Sequence, residues 1–311
     1  MLIVRRTRIW LGMGSWLLAG TSAVGLGIAG AAPLDSHARG EAPVLQRLAQ
    51  AAQGGEKGQG GEKGHSHAMP AAKEGGEAGE GGEGGEGGEG GEGGPLGGAD
   101  PHQAYIARLL LIRGHLFVGK ELYDAKRPDD ALPHYLHPLE EIYEDLEPEL
   151  AEHHSRGFKA ELQALADAVK ARKPAAEIAK QQKAVLAKIE VAANIIPARE
   201  RNSAEFVAHV AVLMLKSATD EYGEAIENER IANSVEYQDS RGFVVAGKAY
   251  LQRHEKALRA KDKQAYDDML KAFADLGKAH PTVVPPEKPV VTTGEFQAAA
   301  SRLELQASRF H

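Results

Sequence analysis

The chain contains no cysteine among its 311 residues. This absence excludes disulfide bonds, cysteine zinc ribbons, iron–sulfur clusters, c-type haem attachment and a thiol nucleophile. Tryptophan occurs only at positions 10 and 16, and glycine and proline are scarce after residue 100 except near residues 281–289. A segment with so few turn-forming residues favours helices over a strand-rich fold.

Glycine is concentrated between residues 54 and 98, which hold 21 of the 36 glycines together with nine Glu and three Lys. Repeated Gly-Gly-Glu triplets offer too little apolar surface to offset the entropy of ordering. We therefore predict a disordered, self-repelling linker over residues 54–100, after a short segment over 32–53.

Residues 101–311 carry 32 acidic and 29 basic residues, and this balance predicts no nucleic-acid binding.

The first residues resemble an export signal. Three arginines precede an uncharged stretch from Ile9 to Leu34, which ends near the small residues Ala29-Gly30-Ala31. This pattern predicts a signal peptide over residues 1–31 and export to the periplasm. An uncleaved N-terminal membrane anchor is the alternative, because the uncharged stretch is long enough to span a bilayer. Any membrane association is expected through this segment alone.

The remaining sequence has helical periodicity, which predicts an all-α bundle in two halves, residues 101–196 and 197–311. Gly114 and Gly119 are expected to let a neighbouring helix approach the first helix. Pro138 is expected to begin a helix and to push His137 out of helical geometry. The predicted helices cover residues 102–124, 158–171, 175–196, 203–232, 236–260, 263–278 and 294–309, with two further helices beginning at 128 and 138.

The densest group of polar residues is the segment PHYLHPLEEIYEDLEPEL, residues 133–150. Residues three and four apart share one face of a helix, so His137 and Glu140 or Glu141 are expected to point to one place. Imidazole and carboxylate groups together bind Fe, Zn, Mn or Cu(II), commonly between the helices of a bundle. The candidate metal ligands are His115, Glu121, His134, His137, Glu140, Glu141 and His209.

A purely structural interpretation of these residues stays open. Acidic residues near the beginning of a helix stabilise it through the helix dipole, and a His-x-x-Glu spacing often arises by chance. His115 and His209 also fit as packed histidines of apolar helices. Four other histidines, His153, His154, His254 and His280, are predicted to lie at the surface.

The segment LKSATDEYGEAIENERIANSVEYQDSRGF, residues 215–243, resembles the periplasmic helical region that accompanies bacterial high-affinity iron permeases. His137 to Glu140 is similar to the His-x-x-Glu element of imelysin and EfeO-like iron-uptake proteins, and Gly114-His115 is similar to the Gly-x-His motif of the same family. The resemblance implies an exported helical protein that binds iron and passes it to a membrane iron permease. Copper or zinc are the alternative cations.

A second resemblance gives an alternative function. Residues 111–139, LIRGHLFVGKELYDAKRPDDALPHYLHPL, are similar to one tetratricopeptide hairpin. This resemblance would make the protein a metal-free interaction module.

An enzyme is not expected, because the sequence has no G-x-S-x-G elbow, phosphate loop, H-E-x-x-H motif or dinucleotide fingerprint. The sequence therefore predicts an exported, periplasmic metal-binding bundle with iron as its first candidate.

Overall fold

The computed structural model describes residues 94–311, which belong to one compact unit. The predicted signal peptide, the segment 32–53 and most of the predicted linker lie outside the described residues. Among the helices that are described, none is both long and apolar enough to cross a membrane.

The described part is helical, so the predicted all-α class is confirmed. Its helices are α1 (Pro101–Asp124), α2 (Pro128–Ala131), α3 (Pro133–His137), α4 (Tyr143–Glu152), α5 (Lys159–Lys170), α6 (Ala175–Ala193), α7 (Ala198–Arg201), α8 (Ala204–Glu224), α9 (Ser234–Arg253), α10 (Glu255–Gly277) and α11 (Thr293–Ala307). A π-helical turn, Pro138–Ile142, joins α3 to α4, and two short strands, β1 (Ile226–Glu227) and β2 (Arg230–Ile231), pair antiparallel after α8.

Side-chain caps fix where the long helices begin. The carboxylate of Asp100 accepts a hydrogen bond from the backbone N–H of Gln103 at the beginning of α1, which also has a proline at its first position. Ser203 caps α8 in the same way, through a hydrogen bond from the backbone N–H of Phe206 to its hydroxyl. Such caps satisfy backbone N–H groups that have no partner within the helix, so each contributes about 1 kcal/mol to helix stability.

Helix α1 lies at the centre of the packing. It packs against α9 and α8 on one side and against α6, α2 and α3 on the other. Its residues are therefore buried almost all round, and α8 is similarly buried between α1, α9 and α11. The segments 101–196 and 197–311, predicted as two halves, thus share one core.

The backbones of α1 and α9 touch at a pair of glycines. A Cβ atom placed on Gly242 would lie 2.5 Å from the carbonyl oxygen of Gly114, and one on Gly114 would lie 2.9 Å from the carbonyl carbon of Gly242. No side chain fits at either position, because backbone atoms cannot move aside as a flexible side chain can. The expected close approach at Gly114 is confirmed, and it brings residues next to Gly114 near those next to Gly242.

Gly119 performs a similar role for α3. A Cβ atom placed on Gly119 would lie 2.7 Å from the Cε2 atom of Tyr135, so only glycine leaves room for this ring. The Tyr135 hydroxyl donates to Gln182 of α6 at 3.0 Å, and the Gln182 amide donates to the carbonyl of Leu116 at 2.9 Å. These contacts hold α3 and α6 against α1.

The prediction at Pro138 was wrong. His137 has helical dihedral angles, φ −50° and ψ −43°, and the helix continues across Pro138 into α4. Proline lacks the N–H of a normal helical turn, and the wider π-helical turn accommodates it without ending the helix. His134 and His137 therefore lie on one continuous helical segment.

Two predicted helices end earlier than expected. The helix predicted to reach residue 232 ends at Glu224, because Asn228 and Glu229 adopt left-handed dihedral angles and turn the chain into the β1–β2 hairpin. The helix predicted to reach residue 260 ends at Arg253, where the ring of His254 bonds to the carbonyl of Tyr250. A further interruption at Asp262 agrees with the predicted beginning of a helix at residue 263.

The surface position predicted for His280 is also wrong. Its side chain is buried, with only 2% of the residue exposed, between the rings of Tyr222, Tyr237 and Phe296. Burial lowers the pKa of His280 to about 3, so the imidazole is neutral and packs as part of the core.

The glycine contact between α1 and α9 can be tested by adding a methyl group. We expect Gly242→Ala to lower the free energy of unfolding by about 1–3 kcal/mol, because the added Cβ forces the two backbones apart. The matched control is Gly223→Ala in α8, where nothing lies near the added atom, and which should be neutral or stabilising by up to about 1 kcal/mol. Urea denaturation measures both, and equal effects would contradict the account.

Candidate metal centre

Four side chains from three helices meet in the interior of the bundle. His115 comes from α1, His134 and His137 come from α3, and Asp239 comes from α9. The side chains of His115, His134 and Asp239 are completely buried, whereas that of His137 is 17% exposed. We call these four residues the His₃Asp cluster.

The carboxylate of Asp239 is the centre of the cluster. Its Oδ1 atom lies 2.8 Å from Nδ1 of His115 and 2.7 Å from Nδ1 of His134, and its Oδ2 atom lies 3.3 Å from Nδ1 of His137. All three imidazoles thus turn the same ring nitrogen towards one acidic group. The ligand atoms of His115, His134 and Asp239 lie within 4.8 Å of one another, close enough to share a metal ion.

The second ring nitrogen of His134 has a fixed role. Nε2 lies 2.9 Å from the side-chain oxygen of Gln238, whose amide nitrogen donates to the carbonyl of Val283 at 3.1 Å. Because this arrangement turns the amide oxygen towards His134, Nε2 must carry a proton and donate it. The Nδ1 atom of His134 therefore faces Asp239 with either a second proton or a lone pair that can bind a cation. Metal-binding histidines are commonly oriented by such a hydrogen bond.

Oδ2 of Asp239 and Nδ1 of His137 are buried and lie 3.3 Å apart, but neither makes a well-aligned hydrogen bond within the described structure. A buried polar atom without a partner loses free energy relative to water, so native proteins rarely leave one unless a water or an ion completes the site. The ring of Phe243 meets that of His115 edge-on at 5.0 Å and closes one side of the cluster with apolar surface.

The negative charge of Asp239 and the positive charge of protonated imidazoles in the cluster stabilise each other. Burial alone would raise the pKa of Asp239, but attraction and hydrogen bonds from His115 and His134 hold that pKa well below its usual range. Burial alone would lower the pKa of His137, but the nearby carboxylate of Asp239 outweighs it, and the pKa is raised. The carboxylate is therefore ionised at neutral pH and attracts positive charge, whether protons or a metal cation.

Local structure explains why these residues meet. His115 directly follows Gly114 and Asp239 lies three residues before Gly242, so the close backbone contact of α1 and α9 brings imidazole and carboxylate together. His134 and His137 are three residues apart and share the face of α3 that is turned towards the other two residues.

Glu121 is not in the cluster, although the sequence suggested it as a ligand. Both of its carboxylate oxygens accept hydrogen bonds from the guanidinium of Arg241, at 2.9 and 3.1 Å. Arg241 also donates to the backbone carbonyl of His280 at 2.8 Å. This forked ion pair neutralises Glu121 and ties α1 to α9.

The remaining carboxylate candidates and His209 also lie outside the cluster. Glu140 and Glu141 lie on the π-helical turn and are exposed. Of the predicted pairing of His137 with Glu140 or Glu141, the structure shows an electrostatic effect of Glu141, whose charge helps to raise the pKa of His137. His209 on α8 instead contacts Gln103, 3.4 Å from ring nitrogen to amide nitrogen, and the ring of His311.

Asp239 is the functional residue that sequence reasoning missed. It lies within the segment 215–243 that resembles the iron-permease region, but nothing marked it as a ligand. The sequence contained one indication of its role, since Asp239 lies between the aromatic residues Tyr237 and Phe243, which are buried on α9.

A second group of possible ligands consists of Asp100, His102 and Glu200. It is partly exposed, and His102 and Glu200 already form an ion pair.

Residues 197–310 match the family model of the iron permease-associated 4-helix bundle domain. The matched segment contains α7 to α11, of which α8 to α11 are the four long helices. The predicted resemblance to the helical region associated with iron permeases is confirmed at this level, whereas the features similar to imelysin and EfeO-like proteins stay predictions. Comparisons with curated proteins and with solved structures found no match.

The matched domain supplies only part of the cluster. Asp239 lies inside the match, whereas His115, His134 and His137 lie before it. The cluster therefore depends on α1 and α3 being packed onto the four-helix domain. The match does not favour the tetratricopeptide alternative.

The raised pKa of His137 predicts how stability depends on pH without metal. Protonated His137 stabilises the fold fully below the unfolded pKa of about 6.5, and this contribution is lost as pH rises through the higher folded pKa. We therefore expect the stability difference between the native chain and His137→Gln to shrink as the pH is raised above about 6.5. Urea denaturation in EDTA measures it, with exposed His153→Gln as control, and a pH-independent difference would contradict the assignment.

Proposed function

We propose that this protein is an exported, periplasmic iron-binding protein that holds one iron ion at the His₃Asp cluster and passes it to a membrane iron permease. The observation that carries the proposal is the convergence of three imidazoles on one buried carboxylate. Imidazole nitrogen and carboxylate oxygen are the usual ligands of iron in helical bundles. The proposed ion is the transported cargo of the protein.

A purely structural network of histidine and aspartate is the competing explanation of the cluster. A network retained only for stability would be expected to satisfy its buried atoms, and two of them make no well-aligned hydrogen bond here. Such a network would also gain little net stability from burying its charges, because desolvation opposes the attraction between them. A cation in the cluster would bind both atoms, which otherwise only face each other at 3.3 Å.

The partner is proposed from the matched domain, which is described by its association with iron permeases. This association supports a role related to iron uptake. Binding without catalysis fits a protein that delivers its ion intact, so we propose a carrier and no enzymatic activity. Export and periplasmic location are proposed from the N-terminal sequence.

Iron binding can be tested on the full chain after the metal has been removed with a chelator. We expect iron at about 100 times its dissociation constant to raise the free energy of unfolding by about 2.7 kcal/mol, seen as a higher melting temperature. The double variant His134→Ala plus His137→Ala should lose this shift. The matched control, His153→Ala plus His154→Ala, changes two exposed histidines and should retain it.

The same variants test the proposed role in cells. Uptake of radioactive iron under iron limitation should fall with the first double variant and stay unchanged with the second. Equal melting temperatures with and without iron would contradict the proposal, as would iron stabilisation that survives the loss of both His134 and His137.

A further inference from the structure

We infer that the His₃Asp cluster selects a divalent transition-metal ion, so that the cargo is ferrous iron and ferric iron is rejected. This inference rests on the proposed function and adds to it the oxidation state of the ion. The donor atoms, the charge of the cluster and its enclosure each lead to the same result.

The donor atoms favour a borderline cation. Three of the four donors are imidazole nitrogens and only one side chain, Asp239, supplies oxygen. Imidazole suits Fe, Zn, Cu and Ni, whereas sites for hard cations are built from oxygen ligands. Ferric iron is a hard cation, and the carboxylates that would suit it, Glu140 and Glu141, are exposed at the surface.

The charge of the cluster is matched to a divalent ion at most. Asp239 supplies the single buried negative charge, because Glu141, whose charge also acts on His137, is exposed to solvent. The nearby ion pair between Arg241 and Glu121 is neutral overall. A divalent ion bound by Asp239 would leave one net positive charge in the interior, and a trivalent ion would leave two. Because the cost of burying charge rises steeply with its magnitude, the trivalent ion is strongly disfavoured.

The burial of the cluster disfavours a hydrated ion. Only His137 has a side chain that reaches solvent, and the other three are fully buried. An ion bound here must lose its water shell, which Mg²⁺ does reluctantly, and Ca²⁺ requires six to eight oxygen ligands. Three protein donors lie within reach of one ion and His137 adjoins Asp239 as a fourth, which fits the four-coordinate sites of divalent transition metals.

The donors of His115, His134 and Asp239 already lie within 4.8 Å of one another, whereas His137 is not part of that group and must turn further towards the ion. Two ligands that each lie 2.0–2.1 Å from a four-coordinate metal are about 3.3 Å apart. Nδ1 of His137 and Oδ2 of Asp239 are already 3.3 Å apart, whereas the His115 and His134 contacts with Oδ1, at 2.8 and 2.7 Å, must lengthen by about 0.5 Å. Rotation of the side chains can supply a shift of this size without unfolding the helices.

The test uses Co²⁺ as a visible probe on the metal-free full chain in the absence of oxygen. We expect Co²⁺ to bind one per chain with the strong visible absorption of a four-coordinate site. Fe²⁺ and Zn²⁺ should displace it, whereas Fe³⁺ supplied as its nitrilotriacetate complex and Mg²⁺ should bind roughly 100-fold more weakly or worse. Asp239→Asn and, independently, the partly exposed His137→Gln should lose the absorption, and His209→Gln should keep it.

The outcomes separate this inference from the proposed function. If Fe³⁺ displaces Co²⁺ as well as Fe²⁺ does, and the two variants abolish both, the cluster binds iron but the inferred selectivity is wrong. If no cation binds, or if binding survives in both Asp239→Asn and His137→Gln, the proposed site fails and this inference fails with it. A Co²⁺ spectrum typical of six-coordinate, oxygen-rich binding would also overturn the inference.

Discussion

The interaction on which the site depends is the attraction between the buried carboxylate of Asp239 and three imidazoles. An isolated carboxylate would not remain ionised in such an environment, because burial favours its neutral form. His115 and His134 reverse that tendency and hold its pKa low. The cluster therefore keeps a negative charge in the protein interior, and that charge is what a cation would bind.

The glycine pair is the structural condition for this arrangement. Gly114 and Gly242 let α1 and α9 meet backbone to backbone, which places His115 beside Asp239. The three-residue spacing of His134 and His137 within α3 then sets both on the same side. The four-helix domain that matches the iron permease-associated family contributes Asp239 alone. The site thus arises where the N-terminal helices are added to that domain.

Much of the fold follows from local patterns. Apolar periodicity and the small residues Gly114 and Gly119 predict helices and contacts that the structure contains. The hairpin after Glu224 was missed, because left-handed dihedral angles at Asn228 and Glu229 have no strong sequence signal without glycine.

The site was only partly predictable. Its three histidines were among the candidates, but Asp239 lies 105 residues from His134 and is indistinguishable in type from many other acidic residues. Only tertiary packing separates it from Glu140, which lies on the π-helical turn and is exposed.

The most direct measurement of the central claim is X-ray absorption at the iron edge of the iron-loaded full chain. The account predicts three imidazole nitrogens and one carboxylate oxygen at about 2.0–2.2 Å from the metal, with the outer-shell scattering of imidazole rings. Loss of that scattering in His134→Ala plus His137→Ala would complete the assignment. A shell of six oxygens with no imidazole contribution would contradict it.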